Sequence, residues 1–553
     1  MGSYSTLDLT LLGIGGTVGS GIFVTTSLVA RSYAGPSVVL SWLVAGLAAS
    51  LNALSYCELS FIGSSGSSYE YAKILGHGNY FATIAASCLS LEYGVSGVAV
   101  ARSWGDKVVM YMRLLGVDVP RLVYNPRLPS ISVLGFLLQL YCTLLLLHGV
   151  DPGRRTTNLF TVFKMLLIAF IIVLGFYFFN TDNLSGGLAP YGGLGILRGS
   201  SLSFFGYVGF DEVCSFASEA KRPDQLHLAL LYTVSSVTAM CALASVALVG
   251  MQRYGDINVE SGFPSAFRAN GCAWAFHVVS LGELFSLPVV TLVSFLAQPR
   301  LQCQLAKDGL LPAIFAKTDS KGNLSHSIFI TGTLLSLAAL VVPFTYLNDM
   351  ISSGILVSFT LTNCSLIVHR LGDSCQTLLV RFMVASLLSA VLLSLMTSHS
   401  SGSAVVALAL LLAPCSCALC CFAFQLHSSF EELPLAEAAK RPYFRVPCVP
   451  ALPLLACAVN CVLAAQLPAT ANITALAYLA AASLAHLLTR RPPLSGATEG
   501  DARYTSVADV EMVEVSLSPL QERDRGHNTD NGDSDDGDDG SNDNKLDEIS
   551  LGE

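Results

Sequence analysis

The strongest constraint on this chain is a recurring run of about 20 mostly apolar residues, the length an α-helix needs to cross the hydrocarbon core of a bilayer. Candidate spans lie near 7–30, 36–56, 80–101, 129–148, 159–180, 196–217 and 226–250. Seven more lie near 271–297, 326–345, 347–368, 376–396, 403–426, 445–467 and 470–489, about 14 in all. An all-α polytopic membrane protein follows. Composition agrees: 52% of residues are hydrophobic and 12% charged, against about 25% charged in a soluble domain. The mean hydropathy is +0.59. An ordinary soluble enzyme, a disordered chain and a nucleic-acid binder are excluded.

Net charge divides the chain in two. Residues 499–553 hold 17 acids and 4 bases, and the rest holds 22 acids and 26 bases. The formal charge of −9 is therefore a mildly basic membrane body plus a strongly acidic tail. The tail cannot bury a core and is expected to be disordered. It is either a solvated spacer or a trafficking or phospho-regulated segment. With a cytoplasmic N-terminus, inner loops carry 14 Lys/Arg and outer loops 8, the bias expected of that orientation. The outer count includes Arg102, Lys107 and Arg113 in one loop. The tail then lies in the cytoplasm. Sequons at Asn183 and Asn472 would face outward and one at Asn323 inward.

No cleaved signal peptide is expected, because the apolar run from Leu7 is long and glycine-rich. Met1-Gly2-Ser3-Tyr4-Ser5-Thr6 fits a loose myristoylation pattern. Cys415, Cys417, Cys420 and Cys421 sit in an apolar run without a neighbouring His or carboxylate and read as packing residues rather than a metal site.

Two segments carry chemistry. The first span reads Leu12-Gly13-Ile14-Gly15-Gly16-Thr17-Val18-Gly19-Ser20-Gly21, five glycines in nine residues. Each costs a helix interior about 1 kcal/mol relative to Ala. In lipid such a stretch is tolerated where the helix breaks beside a polar cavity and turns free N–H groups toward an anion. Tight helix packing through small residues is the alternative. The sixth span has a second interruption, Phe204-Phe205-Gly206-Tyr207-Val208-Gly209. Breaks five spans apart suit two inverted five-helix repeats with a site at their interface. N–H groups on one side and carbonyls on the other suit a zwitterion.

An ordered series of motifs accompanies these breaks. It includes Gly21-Ile22-Phe23, Tyr56-Cys57-Glu58-Leu59-Ser60, Leu91-Glu92-Tyr93 and Gly209-Phe210-Asp211-Glu212-Val213. It continues through Ala306-Lys307-Asp308-Gly309-Leu310-Leu311-Pro312 to Phe444-Arg445-Val446-Pro447. Over about 4–465 the chain resembles the cationic amino acid transporters of the amino acid–polyamine–organocation superfamily. The resemblance implies a permease domain over 1–490, with core repeats about 7–180 and 196–368 and extra helices about 376–489. The acidic tail, 491–553, follows. It implies alternating-access transport of arginine, lysine or ornithine. The amino acid and the bilayer are the partners, with no nucleic acid and no cofactor beyond a coupled proton. A neutral or broad-range permease and a non-transporting amino-acid sensor are the competing readings. No nucleophile–base pair points to an enzyme. The plasma membrane is expected before the vacuole or lysosome.

Carried over residue by residue, the substrate carboxylate side is Gly16, Thr17, Val18, Gly19, Ser20 and Gly21. The amino side is Phe204, Phe205, Gly206, Tyr207 and Val208. Glu92, mid-span, either lines the site and favours a cation or carries a proton, or else bonds a neighbouring helix. Lys164 stands where some bacterial proton-coupled relatives place a lysine; the alternative is snorkelling from about one and a half turns into the fifth span. Glu283, where the family has a small residue, would bind a guanidinium or ammonium group or face His277. Leu287 aligns with a position that shapes the side-chain pocket. Leu75-Gly76-His77-Gly78-Asn79 lacks an acid common in the family, which bears on strict cationic specificity. Charges from Arg300 to Pro312 either pair with acids such as Glu219 or form a solvated loop.

Overall fold

The structure is a computed structural model that describes residues 4–19, 21–61, 66–76, 79–120, 123, 131–149, 154–320, 322–371 and 444–489. The candidate spans near 376–396 and 403–426, the Cys415–Cys421 cluster, Ser20 and the acidic tail lie outside the described residues. What is described is helical throughout, apart from one isolated bridge between Tyr4 and Ala220.

The first span is α1 (Thr6–Thr17), a π turn (Gly21–Thr25), α2 (Thr26–Val29) and a second π turn (Ala30–Ala34). Gly35, at φ +61°, turns the chain into α3 (Val38–Leu59), the second span. A short helix, α4 (Ser68–Lys73), leads to the third span, α5 (Tyr80–Ser90), a π turn (Leu91–Val95) and α6 (Ser96–Leu114). Spans four to seven are α7 (Val133–Leu147), α8 (Arg154–Tyr177), α9 (Gly192–Ser203) with its 3-10 continuations, and α10 (Leu226–Met251). After α11 (Gly262–Ala269) come the eighth to tenth spans: α12 (Ala273–Lys307), α13 (Ser325–Val341) and α14 (Phe344–Leu371). A hairpin of α15 (Ala451–Gln466) and α16 (Ala469–Thr489) closes the described chain. Among the described residues, seven helices are long and apolar enough to cross a membrane, and three shorter apolar helices accompany them. This is a multi-pass membrane protein.

The packing repeats under a shift of five spans. α3 packs on α10, α6 on α12 and α7 on α13, so spans 2, 3 and 4 meet spans 7, 8 and 9. The contact of α1 with α8 is matched by α9 with α14, and α1 with α10 by α9 with α3. Likewise α6 with α7 is matched by α12 with α13. An odd shift reverses helix direction, so the repeats are inverted. Spans 1 and 6 are counterparts, and both are broken.

Three expectations change. The third span continues to Leu114, so Arg102, Lys107 and Arg113 lie on α6 rather than in a loop, with Arg102 and Lys107 buried. Each has a partner that makes burial tolerable: Arg102 donates to Asp106 at 3.2 Å and Lys107 to Glu283 at 2.5 Å. Asn472 is no outward sequon. It is buried, donates to the Ala464 carbonyl at 2.8 Å and accepts from Ser353 at 3.0 Å. Lys164 lies ten residues into α8 and is 3% exposed, so it does not snorkel.

Candidate functional site

The inner half of the first span is fixed at its start. Ser5 caps α1: its hydroxyl accepts from the Asp8 N–H at 3.2 Å, and the Asp8 carboxylate accepts from the Ser5 N–H at 3.0 Å. α1 ends at Thr17, where Val18 turns extended (φ −75°, ψ 106°). The carbonyls freed there are taken by one cation. Lys164 Nζ donates to Gly15 O at 2.6 Å and Val18 O at 2.7 Å. A cation at a helix C-terminus meets the negative end of the macrodipole. Thr17 spends its hydroxyl on Gly13 O at 2.6 Å, so its side chain bonds within its own helix.

The sixth span breaks in the matching place. α9 passes into a 3-10 turn, Phe204–Tyr207; Val208 is extended, and Gly209 takes φ +94° before a second 3-10 stretch, Phe210–Glu219. The two breaks face each other. A Cβ on Gly21 would lie 2.5 Å from the Gly206 Cα, and one on Gly209 would lie 3.2 Å from the Gly16 carbonyl carbon. Only glycine permits this approach. The break reading of both segments therefore describes the molecule: Gly21 meets Gly206, and Gly16 meets Gly209. Phe204 and Tyr207 point into the scaffold. Phe204 packs on Phe359, and the Tyr207 hydroxyl donates to Trp42 O at 3.0 Å and meets Thr238 at 2.9 Å. Phe205 stands edge-on to Phe344, with ring centroids 5.9 Å apart.

Acids gather beside the breaks. Glu212 Oε2 would lie 2.8 Å from a Cβ on Gly16, and its carboxylate faces the Lys164 ammonium. Glu92, on the π turn of the third span, lies against the Asp211 carboxyl and the Gly209 backbone, without a well-formed hydrogen bond to either of its oxygens. Ser203 Oγ, Asp211 Oδ1 and Trp42 Nε1 are also buried without a hydrogen-bond partner among the described residues. Buried polar atoms are normally satisfied, so each of these is open to a further polar partner. A cavity of about 20 Å³, room for one water, is lined by Gly15, Gly16, Thr161, Lys164, Glu212 and Ser286. A larger one, about 240 Å³, lies toward the opposite end of the helices from the N-terminus, the outer side in the expected orientation, and is lined by Arg102, Asp106, Arg113, Glu260 and Phe344.

Leu287 is fully buried in a cluster with Val100 and Val290, and a Cβ on Gly19 would lie 3.3 Å from Val290. Glu283 faces Lys107 rather than His277, which meets Tyr111 at 3.1 Å. The Glu219 side chain lies outside the described residues. In the Arg300–Pro312 segment, Asp308 accepts from Tyr69 and, at 2.8 Å, from Lys73. Sequence reasoning left Asp211, Glu212 and Lys107 out of the candidate site. The first two carried a signal, since acids at membrane depth directly after Gly209 are functional by default. Lys107 carried none, because its partner is 176 residues away.

Comparison with known proteins identifies the family. A family profile described as amino acid permease matches residues 4–399. The chain is 33% identical over 396 residues to "Cationic amino acid transporter 4, vacuolar" of Arabidopsis thaliana, covering 68% of this chain and 65% of that protein. It is 33% identical over 382 residues to "Cationic amino acid transporter 4" of Mus musculus, covering 66% and 59%. It is 30% identical over 375 residues to "Methylthioribose transporter" of Bacillus subtilis, covering 66% and 81%. The chain thus spans under two thirds of the length of the first two relatives.

Proposed function

We propose that this chain, which belongs to the amino acid permease family, carries cationic amino acids across a membrane by alternating access. The facing breaks of spans 1 and 6 carry this reading. Backbone N–H groups released around Gly16–Gly21 would take the substrate carboxylate, with Thr17, Val18 and Gly19 forming the wall. Carbonyls released at Phe204–Val208 would take the α-ammonium. Two half-helix ends then bind a zwitterion with backbone alone, leaving the side chain to be read elsewhere. The carboxyls of Glu92, Asp211 and Glu212 bias the same region toward a cation. Two relatives named as cationic amino acid transporters support that choice.

Lys164 supplies the coupling. Its ammonium ties α8 to the break of the first span, so its protonation would decide whether the inner half-helix is held. Uptake of labelled arginine or lysine into vesicles reconstituted with the protein tests the reading. Saturable uptake is expected, and vesicles that move no amino acid would sink it. With Lys164→Ala, uptake should lose its pH dependence. An unaltered pH profile removes Lys164 from the mechanism.

A further inference from the structure

Recognition at the two breaks does not use the Lys107–Glu283 pair. Lys107 (α6) and Glu283 (α12) are 5% and 2% exposed, with Nζ and Oε2 2.5 Å apart. Lys107 also donates to the Glu260 carbonyl at 2.9 Å. Glu283 Oε1 is buried and has no hydrogen-bond partner among the described residues. The acid thus has one acceptor filled and one open.

A line of side chains joins this pair to the site. Val290 lies against Gly19 at the first break. Leu287 packs with Val290 and Val100, and Trp104 packs against that cluster. Trp104 Nε1 donates to Leu284 O at 2.9 Å, beside Glu283. Beside the pair, Ser103 and Asp106, which precede Lys107 on α6, and Glu260, whose carbonyl Lys107 holds, line the 240 Å³ cavity. The ion pair therefore stands at the outer end of this apolar cluster, beside the cavity, and a substrate side chain that reaches it would part the cluster into a slot.

We propose that Lys107 and Glu283 set the side-chain selectivity of this chain. Glu283 is the acceptor for a terminal ammonium or guanidinium of the substrate, and Lys107 is a tethered competitor for it. The inference rests on the amino acid reading above and names what reads the side chain. A closed pair shows the slot no net charge, so an aliphatic amino acid enters without displacing anything. A cationic one meets Glu283 Oε1 and has to share the carboxylate with Lys107. Selectivity is a difference of affinities, and the lysine lowers the cationic term.

The test compares labelled lysine with labelled leucine in vesicles reconstituted with the full chain, reading the ratio of their kcat/KM values. Lys107→Met should raise the lysine-to-leucine ratio about tenfold, the effect of one charged hydrogen bond gained. Glu283→Gln should lower it. Lys107→Met leaves a buried acid unpaired, which destabilises the fold. The Lys107→Leu/Glu283→Leu double variant leaves no charge behind, and its ratio should fall about tenfold below wild type. A double-variant ratio equal to that of the wild type overturns the inference. If wild-type vesicles move neither amino acid, the transport reading itself fails; transport with unaltered ratios overturns only the selectivity role.

Discussion

Gly206 lies against the six-membered ring of Trp42, and an added Cβ there would run into the indole. On its other side, a Cβ on Gly21 would reach the Gly206 backbone. Overpacking a filled interior costs about 1–3 kcal/mol, and here the atoms that would have to move are the two breaks themselves. Gly206→Ala and Gly21→Ala should therefore cut uptake by about tenfold or more, measured as initial rate per molecule in the membrane. Rates within twofold of wild type would show that the breaks need not touch. At this scale the sequence was legible where a residue type is costly. Five glycines at membrane depth, a mid-span Glu92 and a Lys164 inside the fifth span each announced themselves. The partners did not: Lys164 meets carbonyls 149 and 146 residues away, and no local pattern encodes that approach.

Whole elements follow the same logic, with burial decided by partners rather than by charge alone. α6 reads as a loop beyond residue 101 because it carries Arg102, Lys107 and Arg113. It is a helix because Asp106 and Glu283 pair with the first two. The α15–α16 hairpin is fastened to the core by a similar device. Arg370 grips Glu58 through Nε at 2.5 Å and a terminal nitrogen at 2.9 Å, and the Val446 N–H donates to the same carboxylate at 2.6 Å. One layer deeper, Asn52 and Asn460 exchange two hydrogen bonds of 2.9 Å, and Asn363 donates to Asn52 at 2.7 Å. Glu58→Ala strips the buried Arg370 guanidinium of both its bonds to the carboxylate and should cost about 3–5 kcal/mol. Asn460→Ala leaves neutral groups unsatisfied and should cost about 1–3 kcal/mol. Thermal unfolding in detergent should therefore place Glu58→Ala below Asn460→Ala, and the reverse order would contradict the clamp. Asn472, buried between α14 and the hairpin, should carry no glycan, so Asn472→Gln should leave the mass of the expressed protein unshifted apart from the substitution.

At the scale of the whole molecule, the five-span offset between the glycine interruptions was readable, and the matched contacts of the two repeats follow from it. What the offset does not specify is which end is closed. Toward the end of the helices that holds the N-terminus, the inner side in the expected orientation, α4 is latched to the end of α12. Lys73 holds Glu70 at 3.0 Å and Asp308 at 2.8 Å; Tyr69 also donates to Asp308, and Gln304 to Glu70. The cavity beside the first break is about 20 Å³, against about 240 Å³ toward the outer side. The proposed alternating access would require that asymmetry to invert, and the latch would then have to open in each cycle. Burial pulls the Lys73 ammonium down, but Glu70 and Asp308 together outweigh it and set its pKa above the ordinary lysine value. A raised pKa means that the contribution of the latch is complete below the ordinary value and is lost only as pH rises through the raised one. Across the neutral range the latch should therefore be insensitive to pH and should respond to ionic strength, because its groups are partly exposed. Lys73→Met/Asp308→Asn should release it. Cysteine reporters then give opposite signs over the wild-type background: Phe160→Cys, beside the inner cavity, should label faster in the double variant, and Met110→Cys, beside the outer cavity, more slowly. If both rates rise together, the variant has loosened the fold rather than shifted it between states. If neither changes, the contacts at Asp308 do not hold the inner side shut.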